Sequence, residues 1–458
     1  MAFSLIEEDS GAVRLTPLTK ARFGAWRDGA PPHERDWAAT VDFTGEAGKV
    51  ALMPDKDGRL GRVLVGTSES EAAMWSAAGL SETLPEGSYR LDPLPEGADA
   101  SRLALGWALG TYRFTRYHAK PAGAARLVWP DGADRGYVER LAAAVFLARD
   151  LATTPASDMG PEELAEAAKK VARAAGARCR IVVGDKLLDE NYPTIHAVGR
   201  ASTRAPRLVD IIWGDEKAPK VTLVGKGVCF DTGGLDLKPA SGMLNMKKDM
   251  AGAAIMLGLG QAIMQAGLEV RLRVLLPCVE NSVAGNAMRP RDIVTTRKGL
   301  TVEIGNTDAE GRLILCDALA DASDEKPAMI VDAATLTGAA RVALGPDLPA
   351  LFCNDDALAN ALLAAGVAED DPMWRMPLYK PYRRLIDSKI ADLNNVSDGP
   401  QGGAITAALY LNEFVDPSVP WAHLDVMAWN GRTRPGRPEG AEAQTLRALY
   451  ALIAGRFG

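Results

Sequence analysis

The sequence predicts an α/β protein, in which a small amino-terminal α/β domain is followed by a larger, mostly parallel-sheet α/β domain. The chain has 458 residues, which is long enough for two or three domains. Its first 130 or so residues read as short strands and helices with frequent turns. In the remainder, apolar runs alternate with Ala/Leu-rich helical stretches, a pattern typical of a parallel sheet covered on both faces.

A helical segment separates the two predicted domains. Val138, Leu141 and Val145 recur at helical spacing, and Pro155 ends that helix. The next helix begins at Pro161, with acids in its first turn and basic residues late in it. We therefore place the boundaries as follows: the first domain at 1–130, a linking helix at 131–160, and the larger domain at 161–458.

The larger domain contains six apolar runs that we predict to be strands. In a largely parallel sheet the functional site lies at the carboxyl ends of the strands. The six runs begin at Cys179, Leu208, Val221, Arg273, Met329 and His423.

Composition excludes several kinds of site. The four histidines are scattered and form no HExxH pair, so a His-rich zinc site is not expected. The five cysteines form no CxxC, which excludes a zinc ribbon and disfavours a disulfide framework. Metal ligands, if there are any, would have to come mainly from carboxylates.

Charge and hydropathy bear on the protein's cellular location and on its partners. The formal net charge is −7, and residues 1–130 hold 15 basic and 17 acidic residues, which disfavours nucleic acid as a partner. The first residues carry acids where a signal peptide needs a basic start, so we expect a cytoplasmic protein. The uncharged stretch from Ala251 to Leu268 contains Gln261 and Gln265, so we predict a buried helix and no membrane partner.

A glycine-rich segment from Val224 to Ala254 follows one of the predicted strands. Glycines of this kind allow the backbone close approaches and unusual conformations. The segment is not a nucleotide-binding P-loop, because the upstream glycine is missing and no Ser or Thr follows the lysine. It carries charged residues among apolar residues that we expect to be buried. Buried charges are usually paired or bind metal. These groups are Lys226, Asp231, Lys238 and Asp249.

A second charged segment, NTDAEGRLIL, begins at Asn306. If it is extended, Asp308, Glu310 and Arg312 alternate and point to one face. Two carboxylates and a guanidinium would then enter one site. Each acid alone is more simply a surface or capping residue, and Asp249 in particular could start the helix that follows it. The joint pattern of two such segments favours a functional site.

These two segments closely resemble the leucyl aminopeptidase (cytosol aminopeptidase) family of dinuclear metallopeptidases. The resemblance covers about 300 residues, from the linking helix to the end of the chain. The first 130 residues agree with the family only in size and position, and we expect a macro-like α/β domain there. The matching motifs are VGKGVCFDTGG with Lys238, MKKDMAGAA, NTDAEGRL, DAATLTGA from Asp332, and GGAITAALYLNEF from Gly402.

The resemblance implies two divalent metal ions per subunit, Zn or Mn, with Mg or Co as alternatives. Asp231 and Glu310 would bridge the two ions, and Asp308 would complete one site. Asp249 and Lys226 would complete the other. A lysine ligand must be neutral, so the nearby metal charge has to lower its pKa.

The same resemblance assigns the remaining catalytic roles. Lys238 would polarise the scissile carbonyl group of a peptide substrate and stabilise its oxyanion. Arg312 would hold a bicarbonate ion that relays the proton, since neither motif contains a histidine to act as base. The family also implies a homohexamer whose active sites face an internal cavity.

A pocket for the first residue of the peptide is implied at Met246, Thr335 and Gly338. It suggests a medium apolar side chain such as Leu. For Met246, simple core packing is an equally good interpretation, because methionine commonly fills cores.

Two other functions remain open. The chain could be a DNA-binding or scaffolding protein on a peptidase fold, although the complete ligand set argues against this. It could also be a peptidase restricted to dipeptides such as Cys-Gly.

A few residues depart from the family pattern or invite a different assignment. Thr153 and Ser157 replace asparagines, Asp236 adds an acid near the site, and Lys248 adds a base. Cys229 and Cys316 lie inside the motifs, but we interpret them as core residues because apolar residues flank them. Trp421, His423 and Trp429 are likewise predicted to be core or interface residues.

Overall fold

The computed structural model describes residues 3–68, 73–94, 98–119 and 125–458. The chain divides into two compact units. The first comprises Met1–Phe146 with Gly431–Glu439, and the second comprises Leu147–Asn430 with Gly440–Gly458. The division falls inside the helix predicted to link the domains.

The first unit contains a six-stranded sheet with the strand order β1-β6-β5-β2-β4-β3. All neighbours are parallel except β3 and β4. The strands are β1 (Leu5–Ile6), β2 (Val13–Thr19), β3 (Val50–Pro54), β4 (Leu60–Thr67), β5 (Gly87–Leu91) and β6 (Ala125–Val128). The helices are α1 (Lys20–Gly29), α2 (Pro32–Thr40), α3 (Ala73–Ala78), α4 (Leu80–Thr83) and α5 (Ala100–Gly110).

Helix α6 (Arg135–Thr153) is the predicted linking helix. Its apolar positions Val138, Leu141 and Val145 are fully buried, as their helical spacing predicts. Pro155 lies just beyond its end.

The second unit contains the larger sheet. The strands of this unit are β7 (Arg178–Val183), β8 (Arg207–Trp213), β9 (Lys220–Gly225), β10 (Gly227–Asp231), β11 (Arg271–Asn281), β12 (Ile293–Thr295), β13 (Thr301–Glu303), β14 (Met329–Ala334), β15 (Ala350–Cys353), β16 (Trp374–Arg375), β17 (Leu393–Asn394), β18 (Trp421–Asp425), β19 (Trp429–Asn430) and β20 (Gly440–Ala441). Strands β12, β13 and β17 form a separate three-stranded sheet, β19 and β20 form a two-stranded one, and the other nine form the larger sheet. All six predicted strands are therefore present, as β7, β8, β9, β11, β14 and β18.

The helices of this unit alternate with those strands. They are α7 (Pro161–Ala174), α8 (Lys186–Asp189), α9 (Pro193–Gly199), α10 (Ala240–Met243), α11 (Ala251–Ala266), α12 (Gly311–Asp324), α13 (Gly338–Leu344), α14 (Asp356–Ala368), α15 (Gly403–Asn412) and α16 (Leu446–Phe457). Two 3₁₀ helices are Met246–Met250 and Lys380–Ile386.

The centre of the larger sheet is parallel, which confirms the predicted fold class. Strands β11, β9, β14 and β18 are neighbours in that order and run in the same direction. On either side, β8 and β15 join antiparallel. The sheet is thus mixed at its margins, which agrees with the prediction of a mostly parallel sheet.

Helix α11 is the uncharged segment that the sequence predicted to be buried. Thirteen of its sixteen residues are buried, and it packs on β9 and β14. Among the described residues, none of the helices has the length and apolar character needed to cross a membrane.

The carboxyl ends of the central strands position the site. Strand β9 ends at Gly225, β10 at Asp231, β14 at Ala334 and β18 at Asp425. Each predicted ligand or pocket residue on these strands lies at such an end or immediately after it.

Candidate active site

Lys226 lies in the single-residue break between β9 and β10 and is buried. Its Nζ is 2.7 Å from Oδ2 of Asp249 and 2.9 Å from Oε1 of Glu310, and it donates to the carbonyl of Thr335 at 3.1 Å. Burial lowers the pKa of Lys226, but these carboxylates outweigh burial and raise it above its ordinary value.

Glycines make room for this lysine. A Cβ at Gly225 would lie 2.5 Å from Cα of Ala253, and one at Gly311 would lie 2.5 Å from Cε of Lys226. Gly225 therefore lets the end of β9 pack closely on the start of α11, and Gly311 makes room for the lysine side chain.

Asp231 ends β10 and presents one oxygen to the site. Its Oδ1 accepts hydrogen bonds from the backbone N–H of Gly233 and from Nδ2 of Asn281, both at 2.8 Å. Its Oδ2 is 2.9 Å from Nζ of Lys238. That ammonium is also 2.5 Å from Oδ1 of Asp308, so Lys238 joins the two motifs.

The NTDAEGRL segment is a turn followed by a helix, so the predicted extended conformation is wrong. Oδ1 of Asn306 accepts from the backbone N–H of Asp308 at 2.7 Å, which closes the turn. Helix α12 then begins at Gly311, and Arg312 lies in its first turn. The acids nevertheless converge, because carboxylate oxygens of Asp231, Asp308 and Glu310 lie within 4.8 Å of one another.

Two buried asparagines that the sequence did not reveal hold this turn. Asn395 donates to the carbonyls of Asn306 and Ala309, and its Oδ1 accepts from two backbone N–H groups of the same turn. Asn281 donates to the carbonyl of Thr307 as well as to Asp231. Both come from distant parts of the chain, so no local pattern could have indicated them.

Asp249 lies in the 3₁₀ helix Met246–Met250 and makes no helix cap. Its Oδ1 accepts a 2.6 Å hydrogen bond from Oγ1 of Thr335. Burial raises the pKa of Asp249, but Lys226 and Lys248 outweigh burial and lower it below its ordinary value. The alternative that Asp249 merely starts the following helix is therefore wrong.

The acids of the site exceed its paired bases. Four carboxyl groups, those of Asp231, Asp249, Asp308 and Glu310, share the two ammonium groups of Lys226 and Lys238. Burial, followed by repulsion from Asp231, raises the pKa of Glu310 to about 8 and that of Asp308 to about 6.

A site with more carboxyl groups than paired ammonium groups is suited to binding cations. Oε2 of Glu310 is buried and has no hydrogen-bond partner in the described part of the chain. Buried carboxylates of this kind are usually paired or bound to metal. Oxygen-rich sites with one nitrogen donor fit Mn²⁺, Mg²⁺ or Zn²⁺.

A cleft of about 320 Å³ opens beside the acids. Several predicted site residues line it: Lys226, Asp231, Lys238, Met246, Asp249, Asp308, Arg312, Thr335 and Gly338. Met246 is half-buried in this wall. Glu310 is buried behind the lining.

Arg312 and Lys248 are further bases that line the cleft. Arg312 donates from Nη1 to the carbonyl of Asn395 at 2.6 Å, and its Nε has no partner among the described residues. Burial lowers the pKa of Arg312. Burial also lowers the pKa of Lys248, to about 8.

Asp236, one of the departures from the family pattern, has a structural role. Its Oδ2 accepts from the backbone N–H of Thr307, so this acid joins the two motif loops. Thr153 and Ser157 accept from Lys247 and Arg204 through their backbone carbonyls, and these contacts do not explain the replaced side chains.

The cysteines and aromatic residues near the motifs lie in the core. Cys229 and Cys316 are buried, and burial raises the pKa of both thiols. Trp421 and His423 are also buried, and both bind the carboxylate of Asp332. Trp429 is half-buried beneath the ammonium of Lys247.

Most of the sequence matches two known protein-family domains. Residues 146–450 match the catalytic domain of the cytosol aminopeptidase family, and residues 13–130 match the M17 aminopeptidase N-terminal domain. The chain belongs to the cytosol aminopeptidase family. It is therefore an aminopeptidase, a hydrolase of the metallo-exopeptidase class, as the motifs predicted.

Individual relatives of this aminopeptidase agree over nearly its whole length. A probable cytosol aminopeptidase of Burkholderia ambifaria (strain MC40-6) is 39% identical over 453 residues, covering 91% of this chain and 88% of that protein. The crystal structure of cytosol aminopeptidase from Coxiella burnetii is 46% identical with a TM-score of 0.97, covering 100% of both chains. The bottromycin maturation enzyme BotP, solved in complex with Mn, is 34% identical with a TM-score of 0.89, covering 98% and 100%.

Proposed function

We propose that this aminopeptidase uses two divalent metal ions per subunit, Zn or Mn with Mg or Co as alternatives, to remove apolar amino-terminal residues from peptides. The observation that carries the proposal is the convergence of the carboxylates of Asp231, Asp308 and Glu310 at one end of the cleft, with a buried Glu310 oxygen that has no hydrogen-bond partner among the described residues. The proposed ligands are Lys226, Asp231, Asp249, Asp308 and Glu310.

Cations bound there would lower the pKa of water and polarise the carbonyl group of the substrate. Ligation requires Lys226 to lose its proton. The neighbouring acids stabilise its ammonium form. Cations on the same carboxylates would remove that stabilisation and favour the neutral amine.

Lys238 is placed to bind the oxygen of the scissile carbonyl. Its side chain lines the cleft and is 15% exposed, and Asp231 and Asp308 fix the position of its ammonium group. A donor fixed in this way stabilises negative charge on that oxygen as the peptide bond is attacked.

Arg312 is proposed to hold a bicarbonate ion that relays the proton to the departing amine. The unpartnered Nε supports anion binding at this position. No histidine is among the described residues that line the cleft, which favours an external base.

Restriction to the amino terminus follows from the acids. A free α-amino group would approach the ligand set at Asp249, and an internal peptide bond has no such group to offer. We propose that Met246, Thr335 and Gly338 contact the first side chain, with Leu as the preferred type. Rates on Leu-Gly, Cys-Gly and longer peptides separate this preference from dipeptide restriction.

We further propose a homohexamer in the cytoplasm. The family resemblance supports the assembly, and the name of the relatives supports the location. Light scattering after size exclusion measures the assembly directly, and a monomer would contradict it.

The test of the proposed function is hydrolysis of Leu-p-nitroanilide before and after chelation of metal. We expect chelation to abolish activity and Glu310→Gln to prevent its recovery when metal is returned. Asp324→Asn, at the exposed far end of the same helix, is the matched control and should behave as wild type. Full activity in the chelated enzyme would refute the metal-dependent function.

A further inference from the structure

Asp236 is an acid of the glycine-rich loop that the proposed chemistry does not use. It is half-buried and lies between two site residues, Asp231 and Lys238. The loop folds back on itself here, because Gly233 has a φ of +90° and the backbone N–H of Lys238 donates to the carbonyl of Thr232 at 2.9 Å. The fold of this loop brings the side chain of Asp236 against the NTDAEGRL segment.

Asp236 and Thr307 are joined by hydrogen bonds in both directions. Oδ2 of Asp236 accepts from the backbone N–H of Thr307 at 2.8 Å and lies 3.2 Å from its hydroxyl. That hydroxyl accepts from the backbone N–H of Asp236 at 2.8 Å and donates to the carbonyl of Gly233 at 2.6 Å. Asp236 therefore fixes the residue that immediately precedes the proposed ligand Asp308.

Water cannot easily replace Asp236 in these contacts. Thr307 is only 1% exposed, so its backbone N–H would lose its partner if the carboxylate were removed. An unpaired buried N–H costs about 1–3 kcal/mol. The turn would have to shift for this N–H to find another acceptor, and Asp308 would move with it.

The other end of the site is held by different contacts. The side chains of Lys226 and Asp249 contact each other. Lys226 also contacts Glu310 and the carbonyl of Thr335, and Asp249 accepts from the hydroxyl of Thr335. Across the described ranges, no hydrogen bond or ion pair joins Lys226 or Asp249 to Asp236 or Thr307. A shift of the turn at Thr307 should therefore leave these two ligands in place.

We propose that Asp236 is a positioning residue for Asp308, and that it sets the affinity of the one metal ion that Asp308 helps to bind. The ion at Asp249 and Lys226 does not depend on it. This inference rests on the proposed two-metal function. It assigns to each ion its own supporting hydrogen bonds, from Asp236 for one and from Thr335 for the other.

The experiment titrates metal-depleted protein with Mn²⁺ in equilibrium dialysis and measures the ions bound per chain. We expect wild type to bind two ions. In Asp236→Ala one ion should bind as in wild type, and the other should bind about tenfold or more weakly, as is typical when a partner that orients a metal ligand is lost. Asp236→Asn keeps an oxygen that can accept from Thr307, so both ions should bind as in wild type.

A second substitution identifies which ion is affected. Thr335→Val removes the hydrogen bond to Asp249 and should weaken the other ion. In the double variant with Asp236→Ala both ions should therefore bind weakly. Retention of one ion at wild-type affinity in the double variant would show that the two residues act on the same ion, and would overturn the inference.

The matched control is Asp215→Ala. Asp215 also accepts from a backbone N–H, that of Lys217, but it lies in an exposed turn after β8. This variant should bind both ions as wild type does. If Asp236→Ala does not fold, as judged by circular dichroism, Asp236→Ser provides the same comparison with a shorter polar side chain.

Other results would also overturn the inference. Unchanged binding in Asp236→Ala, equal weakening of both ions, or a loss in Asp236→Asn as large as that in Asp236→Ala would each exclude the positioning role of Asp236 while leaving the two-metal function intact. A wild-type chain that does not bind two ions would refute the two-metal function, and the inference with it.

Discussion

Replacing Gly311 by Ala should displace Lys226 from its carboxylates. Gly311 is the first residue of α12 and lies against the lysine side chain. An added Cβ would be 2.5 Å from Cε and 2.7 Å from Nζ of Lys226. Alanine otherwise favours a helix, so any loss comes from this contact.

The size of the effect follows from these distances. Carbon atoms in contact normally lie about 3.5–4.0 Å apart, so the lysine must retreat by about 1 Å. Its Nζ is held at 2.7 Å from Asp249 and 2.9 Å from Glu310, and such a shift exceeds hydrogen-bond range. Overpacking of this kind costs about 1–3 kcal/mol of stability. Misplacement by about 1 Å at a reacting site costs about 100-fold in rate.

The assay combines kcat/KM on Leu-p-nitroanilide with the metal content of the purified variant. Gly455→Ala is the matched control, because Gly455 lies inside α16 and an added Cβ would meet nothing within 4 Å. The control should keep full activity and gain up to about 1 kcal/mol of stability. If Gly311→Ala keeps wild-type kcat/KM and metal content, the placement of Lys226 is not essential.

Three further changes test neighbouring parts of the site. Thr335→Val removes the 2.6 Å hydrogen bond to Asp249. We therefore expect a lower metal affinity in equilibrium dialysis and a lower kcat/KM in steady-state assays. Unchanged values would contradict a role of Thr335 in positioning Asp249. Lys248→Met removes a buried charge whose desolvation outweighs its attraction to Asp249, so it should raise the free energy of unfolding in urea by about 1 kcal/mol or more; a loss of stability would contradict that balance. Iodoacetamide should leave activity intact in the native enzyme, because burial raises the pKa of the Cys229 and Cys316 thiols; rapid inactivation with labelling of either would show that it is accessible.

The sequence predicted those parts of the fold and site that are encoded locally. The apolar runs became strands, and the glycine-rich segment brought Lys226, Asp231 and Asp249 to the ends of the central strands, because parallel strands share that edge. Strand direction at the margins of the sheet was not predictable, since it depends on how each connection crosses the sheet.

The NTDAEGRL segment forms a turn and not the extended conformation considered from its sequence, although the residues that close the turn are local. Asn306 is followed two residues later by Asp308, and a side chain of this type readily accepts from that backbone N–H to close a turn. The partners that hold the turn could not be inferred. Asn281 and Asn395 reach it from elements 26 and 89 residues away, and only the folded chain brings them together.

We propose that Asp231, Asp249, Asp308 and Glu310 bind two divalent metal ions and that hydrolysis depends on these ions. The most direct test is to titrate metal-depleted enzyme with Mn²⁺ while measuring bound metal and Leu-p-nitroanilide hydrolysis together. We predict that activity returns fully as two ions bind per chain, and that Glu310→Gln does not recover. Full activity without metal, or saturation of activity with a single bound ion, would contradict the account.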